Sequence, residues 1–267
     1  AWMDQQRVER AWISIPPTLY RLELGEAAAK NWAAYANDGL QSIAEKFADR
    51  LSPMLHLPLQ CPALAAEIVT ARALAGGAAR FAMPAGSASG QQILSDAAYA
   101  PLWAALDRTK AFLFLHPNKG CDPRLDHFYL HNLLGNPNET AIAAAHLAMS
   151  GILERHPGMT VCLAHGGGNA AAVAGRLERG QSTGRPGAAT GAAPVRQAFR
   201  RFCVDCITHD AATLHLVAER FGADKVLFGS DWPFAMGLPE PHQQLADVDS
   251  GLRQRIFQDN PKALLTR

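Results

Sequence analysis

The sequence predicts an α/β fold of the TIM type, a (β/α)8 barrel whose first strand is missing from this chain. Short apolar segments alternate with longer helical segments seven times along the 267 residues. No glycine-rich phosphate-binding loop follows the first apolar segment. The alternation predicts parallel strands joined by right-handed crossovers. Because one such barrel often has about 250 residues, we expect a single domain over residues 1–267.

The predicted strands show little alternation of apolar and polar residues, which is typical of strands buried on both faces of a parallel sheet. They lie at residues 11–15, 54–59, 79–83, 112–115, 160–164, 202–205 and 226–229. An open, doubly wound sheet is the alternative. We prefer the barrel because the sequence shows no phosphate loop and no switch point in strand order.

Helical periodicity is clearest between these strands. The predicted helices lie at residues 25–49, 63–74, 99–109, 140–156, 210–221 and 251–257. We interpret Asp210 as a helix N-cap rather than as a site residue. Residues 118–138 and 180–194 are predicted to be irregular, since they are rich in loop-forming residues.

The opening segment AWMDQQRVE indicates the last turn of a helix that leads into the first predicted strand. A helix before that strand implies a further strand before the helix. Seven predicted strands are also one fewer than a barrel of this type needs. We therefore expect the first strand of the barrel to precede Ala1.

The charged residues are nearly balanced, with 25 basic and 24 acidic side chains and a formal net charge of +1. This balance gives no general electrostatic reason to bind nucleic acid or an anionic membrane. No apolar run approaches the roughly 18 residues of a membrane span, and no secretion signal opens the chain. We therefore expect neither a nucleic acid nor a membrane as a partner.

The five cysteines are odd in number and show no disulfide spacing, which indicates a reducing compartment, and we expect the cytoplasm. Cys203 and Cys206 form a C-x2-C pair, but no second pair follows at zinc-knuckle spacing. The pair lies in a strand-like segment. We interpret it as coincidence, with a metal or redox role as the alternative.

Three polar residues follow apolar strands where those strands end. His116 follows FLFL, His165 follows VCLA, and Asp231 follows VLFGS. In a β/α barrel, side chains at the carboxyl ends of the strands line the active site. Two imidazoles and a carboxylate at one mouth suit a divalent ion such as Zn²⁺. A capping or core role is the alternative for each residue alone, but their joint placement favours a functional site.

These segments resemble the amidohydrolase superfamily and, more narrowly, its aminocarboxymuconate-semialdehyde decarboxylase group. The resemblance covers nearly the whole chain. The matching segments, in chain order, are MDQQRVERAWIS, FLFLHP, GNPNETAIAAAHLAMSGILERHPGMTVCLAHGGG, KVLFGSDWPFAMG and NPKALL.

The resemblance implies a role for each matched position. His116 matches a metal ligand, and Asp231 matches a second ligand that also takes part in proton transfer. His165 matches the histidine that acts as general acid–base. Arg176 matches an arginine that binds the substrate carboxylate from the neighbouring subunit of a homodimer. A solvated helix position is the alternative for Arg176.

The chain also departs from the pattern of the group. The His-x-His pair that completes the family's metal site is absent, and we expect it, with a further arginine, before Ala1. Asn118 and Asn132 stand where the decarboxylase itself has tryptophan, which predicts a more polar pocket and a different substrate. Trp232 is a candidate substrate contact, with packing of the metal loop as the alternative.

The resemblance implies a metal-dependent decarboxylase of a small carboxylated unsaturated or aromatic acid, with one divalent ion, zinc being expected, and a metal-bound water. A metal-dependent hydrolase of a small ester, lactone or amide is the first alternative, because the same kind of centre can attack a carbonyl. An inactive fragment or non-catalytic relative is the second, because losing two of four protein ligands would cost most of the metal affinity.

Overall fold

The computed structural model describes residues 1–86, 91–118, 122–187 and 191–265, and its strands pair only in parallel. The strands are β1 Ala11–Ile13, β2 Leu51–Pro53, β3 Leu55–His56, β4 Arg80–Pro84, β5 Phe112–His116, β6 Thr160–Leu163, β7 Cys203–Asp205 and β8 Val226–Leu227. β1 pairs with β2, and a six-stranded sheet has the order β3-β4-β5-β6-β7-β8. The predicted α/β fold with a parallel sheet is confirmed.

The two sheets meet in one extended segment. The Met54 N–H donates to the Ile13 carbonyl at 2.8 Å, and the Leu57 N–H donates to the Ala82 carbonyl at 2.9 Å. The prediction of one strand at 54–59 is therefore wrong in its bounds, because pairing begins at Leu51 and regular strand ends at His56. Proline has no backbone N–H to donate to a neighbouring strand. This missing donor explains why the regular strand is interrupted between Pro53 and Leu55.

The sheet is buried on both faces, as its unalternating apolar strands predict. A large apolar cluster joins one face to the helices and includes Leu55, Phe81, Leu113, Val161 and Val204. A smaller cluster on the opposite, inner face consists of Met54, Ala82, Phe112, Cys162 and Cys203. The carboxyl ends of the strands therefore emerge from an apolar base on both sides.

The helices are α1 Trp2–Gln5, α2 Glu26–Lys46, α3 Pro62–Leu74, α4 Ala100–Arg108, α5 Asn136–Met149, α6 Ile152–Arg155, α7 Ala170–Ser182, α8 Val195–Phe199, α9 Ala211–Phe221, α10 Pro241–Gln244, α11 Ser250–Gln254 and α12 Asn260–Leu265. The helices predicted at 25–49, 63–74, 99–109 and 210–221 are confirmed as α2, α3, α4 and α9. Within the described ranges, no helix has the length and apolar character of a membrane span.

The helix predicted at 140–156 is wrong in its extent. Gly151 adopts a left-handed conformation, with φ at 74°, and separates α5 from α6. The helix predicted at 251–257 is likewise replaced by α11, a π-helical turn at Arg255–Asp259 and α12. Periodicity alone does not reveal such breaks, because the apolar pattern continues through them.

The segments predicted to be irregular are partly ordered. Pro123–Leu125 forms a 3₁₀ turn, and the π-helical turn His131–Gly135 leads directly into α5. The second segment begins within α7, which ends at Ser182. Residues 119–121 and 188–190 lie outside the described residues.

β1 and β8 are the outer strands, and within the described ranges no strand pairing joins them. The short helix α1 lies against the chain that follows β8. The Trp2 indole N–H donates to the Pro239 carbonyl at 2.8 Å, and His242 Nε2 donates to the Gln6 carbonyl at 2.9 Å. Strand pairing around a complete ring is thus not observed, and the expected further strand remains a prediction.

Candidate metal centre and active site

The three polar residues after the strands converge in the structure. His116 is the last residue of β5, His165 lies two residues after β6, and Asp231 lies four residues after β8. Each offers a ligand atom, and these atoms all lie within 4.8 Å of one another. Because parallel strands place their carboxyl ends at one edge of the sheet, residues far apart in the sequence meet there.

His116 is held as a neutral ring with one free nitrogen. Its side chain is buried, and Nδ1 donates to the Pro117 carbonyl at 2.8 Å. Since a carbonyl can only accept, the ring proton lies on Nδ1. Nε2 is buried and has no hydrogen-bond partner among the described residues. Burial, and then the nearby charge of His165, lower the pKa of His116 to about 3.

His165 lies beside this ring in a strained backbone conformation. Its φ is 56°, in the left-handed region that few non-glycine residues occupy. The two imidazole centroids are 5.0 Å apart, with an interplanar angle of 69°. Within the described part of the chain, the buried Nδ1 of His165 has no partner. Burial, and then the charge of His209, lower the pKa of His165 to about 4.

Asp205, at the end of β7, holds the backbone of His165 in place. One carboxylate oxygen accepts the His165 N–H at 2.9 Å. The other accepts the Gly166 N–H at 2.8 Å and the Ile207 N–H at 3.0 Å. Burial raises the pKa of Asp205 to about 6, against the lowering effect of these backbone hydrogen bonds. The sequence marks Asp205 only as a strand end, since nothing in it indicates that the side chain turns toward the neighbouring loop.

Glycines after His165 let this loop pack tightly. A Cβ on Gly168, whose φ is 59°, would lie 2.0 Å from the Pro137 carbonyl oxygen. A Cβ on Gly167 would lie 2.8 Å from the ring of Phe221. Glycine lets the backbone approach a neighbouring group closely. In the structure, the space beside these glycines is occupied by α5 and α9.

Asp231 also has left-handed backbone, with φ at 49°. Its loop folds back on itself, because the Phe234 N–H donates to the Asp231 carbonyl at 2.9 Å and the Leu238 N–H donates to the Ser230 carbonyl at 2.7 Å. Burial, and then the negative charge of Asp205, raise the pKa of Asp231 to about 6. The site thus combines two neutral imidazoles with one carboxyl group.

This donor set fits a divalent metal ion. Metal-binding histidines are neutral and commonly donate their second ring N–H to a carbonyl or carboxylate, as His116 does. Both rings retain a buried nitrogen that has no partner among the described residues, which is unusual for polar atoms in folded proteins. A cation held by His116 and Asp231 would give Nε2 of His116 and the Asp231 carboxylate a common partner, with the His165 ring beside them.

The other predicted site residues are placed differently. Asn118 is half-buried and lies just after β5. Arg176 is exposed on α7, and no contact with the cluster is observed within the described ranges. Trp232 is 53% exposed and stacks on Trp2 with ring centroids 5.5 Å apart.

Two smaller interpretations can also be compared with the structure. Asp210 caps α9 as predicted, because its side chain accepts the Thr213 N–H at 2.6 Å. Cys203 faces Cys162 on the neighbouring strand, whereas the Cys206 thiol donates to the Gly229 carbonyl at 3.7 Å. The described residues contain a single candidate metal cluster, and neither Cys203 nor Cys206 belongs to it.

A family model described as Amidohydrolase matches residues 1–267, and the chain belongs to this family. It is 27% identical over 250 residues to the 2-amino-3-carboxymuconate-6-semialdehyde decarboxylase of Dictyostelium discoideum, across 92% of this chain and 68% of that protein. It is 28% identical over 254 residues to the gamma-resorcylate decarboxylase of Rhodococcus jostii (strain RHA1), across 87% of this chain and 75% of that protein. The predicted membership is confirmed.

The fold is similar to solved structures of decarboxylases. A dihydroxybenzoic acid decarboxylase from Polaromonas sp. JS666, with bound manganese and the inhibitor 2-nitroresorcinol, superposes with a TM-score of 0.84. The two chains share 22% identity, and the match covers 99% of this chain and 84% of that one. The prediction that this chain is a relative of carboxy-lyases within the amidohydrolase superfamily is confirmed.

Proposed function

We propose that this chain is a metal-dependent decarboxylase of a small aromatic or unsaturated carboxylic acid, built as a barrel of the TIM type. The observation that carries the proposal is the cluster of His116, His165 and Asp231, with two buried imidazole nitrogens that have no partner in the part of the chain that the structure describes. The relatives named decarboxylases support the reaction class. The predicted departures at Asn118 and Asn132 support a substrate other than the muconate semialdehyde.

His116 and Asp231 are the proposed metal ligands. Nε2 of His116 has the free electron pair, and Asp231 supplies a carboxylate oxygen. When bound, a divalent ion would supply positive charge that polarises a substrate oxygen and stabilises developing negative charge. Imidazole and carboxylate ligands suit both zinc and manganese. The manganese in the Polaromonas enzyme makes that ion the natural second choice for tests.

His165 is the proposed general acid–base. When the bond between the ring carbon and the carboxylate breaks, carbon dioxide leaves and an electron pair remains on carbon, which must take up a proton. The neutral imidazole of His165 can hold and transfer that proton. The Asp231 carboxylate, whose ligand atom lies within 4.8 Å of that of His165, can take part in the transfer.

Arg176 is the proposed carboxylate-binding residue, supplied by a second copy of the chain. It is exposed on α7, so a neighbouring subunit could bring it to the site of its partner. Its fork of N–H donors suits a bidentate carboxylate contact. Asn118 and Trp232, just after two of the ligand-bearing strands, are the proposed contacts to the rest of the substrate.

A metal-dependent hydrolase is the second candidate, because the matching family model is that of an amidohydrolase. The two functions differ in product. The chain, loaded with zinc or manganese, is incubated with a panel of hydroxybenzoic and unsaturated acids, and with esters and lactones. We expect carbon dioxide release from acids. Hydrolysis of esters or lactones without carbon dioxide release would contradict the decarboxylase.

Variants connect that activity to the site. We expect His165→Gln to reduce carbon dioxide release by about 100-fold or more, because general acid catalysis typically contributes 10²–10⁴-fold. His215→Gln, at an exposed helix position, is the matched control and should leave the rate unchanged. His116→Ala should abolish metal binding in elemental analysis. A wild-type chain that holds no metal and turns over no substrate would favour the non-catalytic alternative.

A further inference from the structure

A small cleft lies at the amino ends of the strands, opposite to the edge that carries the candidate metal centre. Thr160 is the first residue of β6, Cys203 is the first residue of β7, and Lys225 directly precedes β8. All three line the cleft, which has a volume of about 120 Å³. In β/α barrels, the amino-terminal face usually contributes to stability and the carboxyl-terminal face to catalysis. The proposed mechanism does not use this cleft.

Three cationic side chains line the cleft, those of Arg200, Arg201 and Lys225. A Cβ placed on Gly222 would lie 3.6 Å from Nη1 of Arg200 and 3.3 Å from Cγ of Lys225, so these two side chains approach each other closely. Arg201 reaches across the cleft, because its Nη2 donates to the carbonyl of Pro157, a further lining residue, at 3.1 Å. Like charges therefore face one small space.

The neighbouring carboxylates compensate for only part of this charge. Within the described ranges, Lys225 forms one ion pair, with Asp224 at 3.3 Å, and the Asp224 side chain is largely exposed. The Glu219 carboxylate pairs instead with Arg220, and only its backbone carbonyl accepts from Arg200, at 2.8 Å. The hydrogen bonds of both lining arginines thus go to uncharged carbonyl groups. Two positive charges remain uncompensated.

The size and lining of the cleft restrict what it can hold. Its volume of about 120 Å³ is well below the roughly 300–1,000 Å³ of sites for drug-sized molecules. This space suits an ion of a few atoms and excludes a nucleotide or an aromatic acid. The buried side chains of Met159 and Cys203 line it as well, and a partly apolar wall strengthens electrostatic attraction. Thr160 adds a hydroxyl donor.

We propose that this cleft binds a small oxyanion with two negative charges, of which inorganic phosphate is the representative. The planar forks of Arg200 and Arg201 suit the paired oxygens of such an anion, and Lys225 supplies a compact charge. A dianion would match the two uncompensated charges, whereas a neutral molecule would leave the cations facing one another. The proposal does not depend on the proposed function, because the cleft and the metal centre lie at opposite ends of the strands.

Bound phosphate would connect the segments that lead into β6, β7 and β8. These segments approach the cleft through Pro157, Arg201 and Lys225. The unfolded chain does not bring these residues together, so the anion would bind the folded chain only. Such binding stabilises the folded state in proportion to the logarithm of the anion concentration. The cleft thus predicts a stability that depends on phosphate.

Titration calorimetry and thermal unfolding of the full chain, as purified, test the site with sodium phosphate. The pH is slightly alkaline, so that phosphate is a dianion, and sodium chloride keeps the ionic strength constant. We expect saturable binding of one phosphate for each chain. At a concentration tenfold above the dissociation constant, the melting temperature should rise by about 2–5 °C. Sulfate should compete with phosphate, and chloride should not.

Charge-removing variants locate the effect. Lys225→Gln and Arg201→Gln should each weaken phosphate binding about tenfold or more, because a hydrogen bond to a charged group is lost. Lys30→Gln is the matched control. It removes the same charge from an exposed position of α2, outside the cleft, and should leave phosphate binding unchanged. If Arg201→Gln proves unstable, Lys225→Gln still tests the cleft, because its ion pair with the exposed Asp224 contributes little to stability.

The control also separates the cleft from general effects of the salt. Phosphate and sulfate stabilise many proteins because they are excluded from the protein surface, and that effect neither saturates nor depends on one side chain. An equal rise of the melting temperature in the wild-type chain, Lys225→Gln and Lys30→Gln would overturn the proposal. Absence of saturable phosphate binding to the wild-type chain would overturn it as well. Loss of binding in the cleft variants alone would support it.

Discussion

Asp205 is the residue through which β7 determines the position of His165. Its carboxylate accepts three backbone N–H groups, and two of them belong to His165 and Gly166. These bonds compensate in part for burial of the carboxylate, which by itself raises the pKa. The left-handed conformation of His165 is therefore stabilised by a neighbouring strand and not by its own sequence.

We expect Asp205→Asn to lower the free energy of unfolding by about 1–3 kcal/mol, because an amide NH₂ cannot accept a backbone N–H. The turnover rate should fall about tenfold to a hundredfold, since His165 would shift. Denaturant unfolding and steady-state kinetics measure the two effects. Asp210→Asn is the control, because asparagine caps a helix as well as aspartate does. Equal activity in the two variants would contradict a positioning role.

His56 predicts a pH dependence of stability. Burial lowers its pKa from 6.5 to about 4 in the folded chain. Between pH 6.5 and about 4, His56 is protonated in the unfolded chain and stays neutral in the folded chain. The contribution of His56 to the free energy of unfolding is therefore fully present above pH 6.5 and is lost as pH falls toward 4. The full effect is up to about 3 kcal/mol. The titratable side chain of Tyr20 stacks against His56 and stays neutral throughout this range.

Denaturant unfolding of wild type and His56→Phe between pH 4 and 7.5 checks this prediction. Subtracting the two curves removes the contributions of the other histidines. The wild-type chain should lose more stability on acidification than the variant. Parallel curves would show that His56 does not carry the effect.

At the scale of elements, the connection from β6 to α7 forms one wall of the candidate site. It packs against α5 through Gly168 and against α9 through Gly167, with no room for a Cβ at either position. The loop is thus fixed by its contacts with two helices. Because His165 stands at its start, the packing of these helices contributes to the geometry of the metal centre.

We expect Gly168→Ala to destabilise the chain by more than about 2 kcal/mol, through the clash with Pro137 and the unfavourable positive φ. Manganese affinity, measured by calorimetry, should fall with it. Gly180→Ala within α7 is the control. It has open space around it and should be neutral or stabilise the chain by about 0.5–1 kcal/mol. Normal metal affinity in Gly168→Ala would contradict the link between the loop and the centre.

On the scale of the whole molecule, the notable contact joins the first helix to the loop after the last strand. Trp2 stacks on Trp232 and donates to the Pro239 carbonyl. Asp231 lies in the same loop. The first helix therefore stabilises the loop that carries Asp231. It does so although no strand pairing is observed between β1 and β8 in the described ranges.

We expect Trp2→Ala to increase amide hydrogen exchange across residues 230–239 and to cost about 1–3 kcal/mol of stability, as stacking and one hydrogen bond are lost. Trp32→Ala is the matched control, because Trp32 also donates its indole N–H to a carbonyl, that of Leu19, and contacts an aromatic ring. It should lower stability and leave exchange at 230–239 unchanged. The same exchange pattern in both variants would contradict a local role for Trp2.

Much of the site was accessible from the sequence because strand ends are easy to locate. His116, His165 and Asp231 follow short apolar runs, and parallel topology alone brings such positions together. Asp205, Tyr20 and His56 were not singled out. Their importance depends on the direction of a side chain, on register with a neighbouring strand and on burial, and none of these quantities has a local pattern.

The sequence by itself determined the alternation of strands and helices, the parallel sheet and the three residues at its carboxyl edge, because all of these follow from local periodicity and chain order. Only the tertiary structure decided which ring nitrogens remain unpaired, how Asp205 holds the loop of His165, and that Tyr20 stacks on His56. Those features arise from contacts between segments far apart along the chain, and their energies depend on distances and burial that exist only after folding.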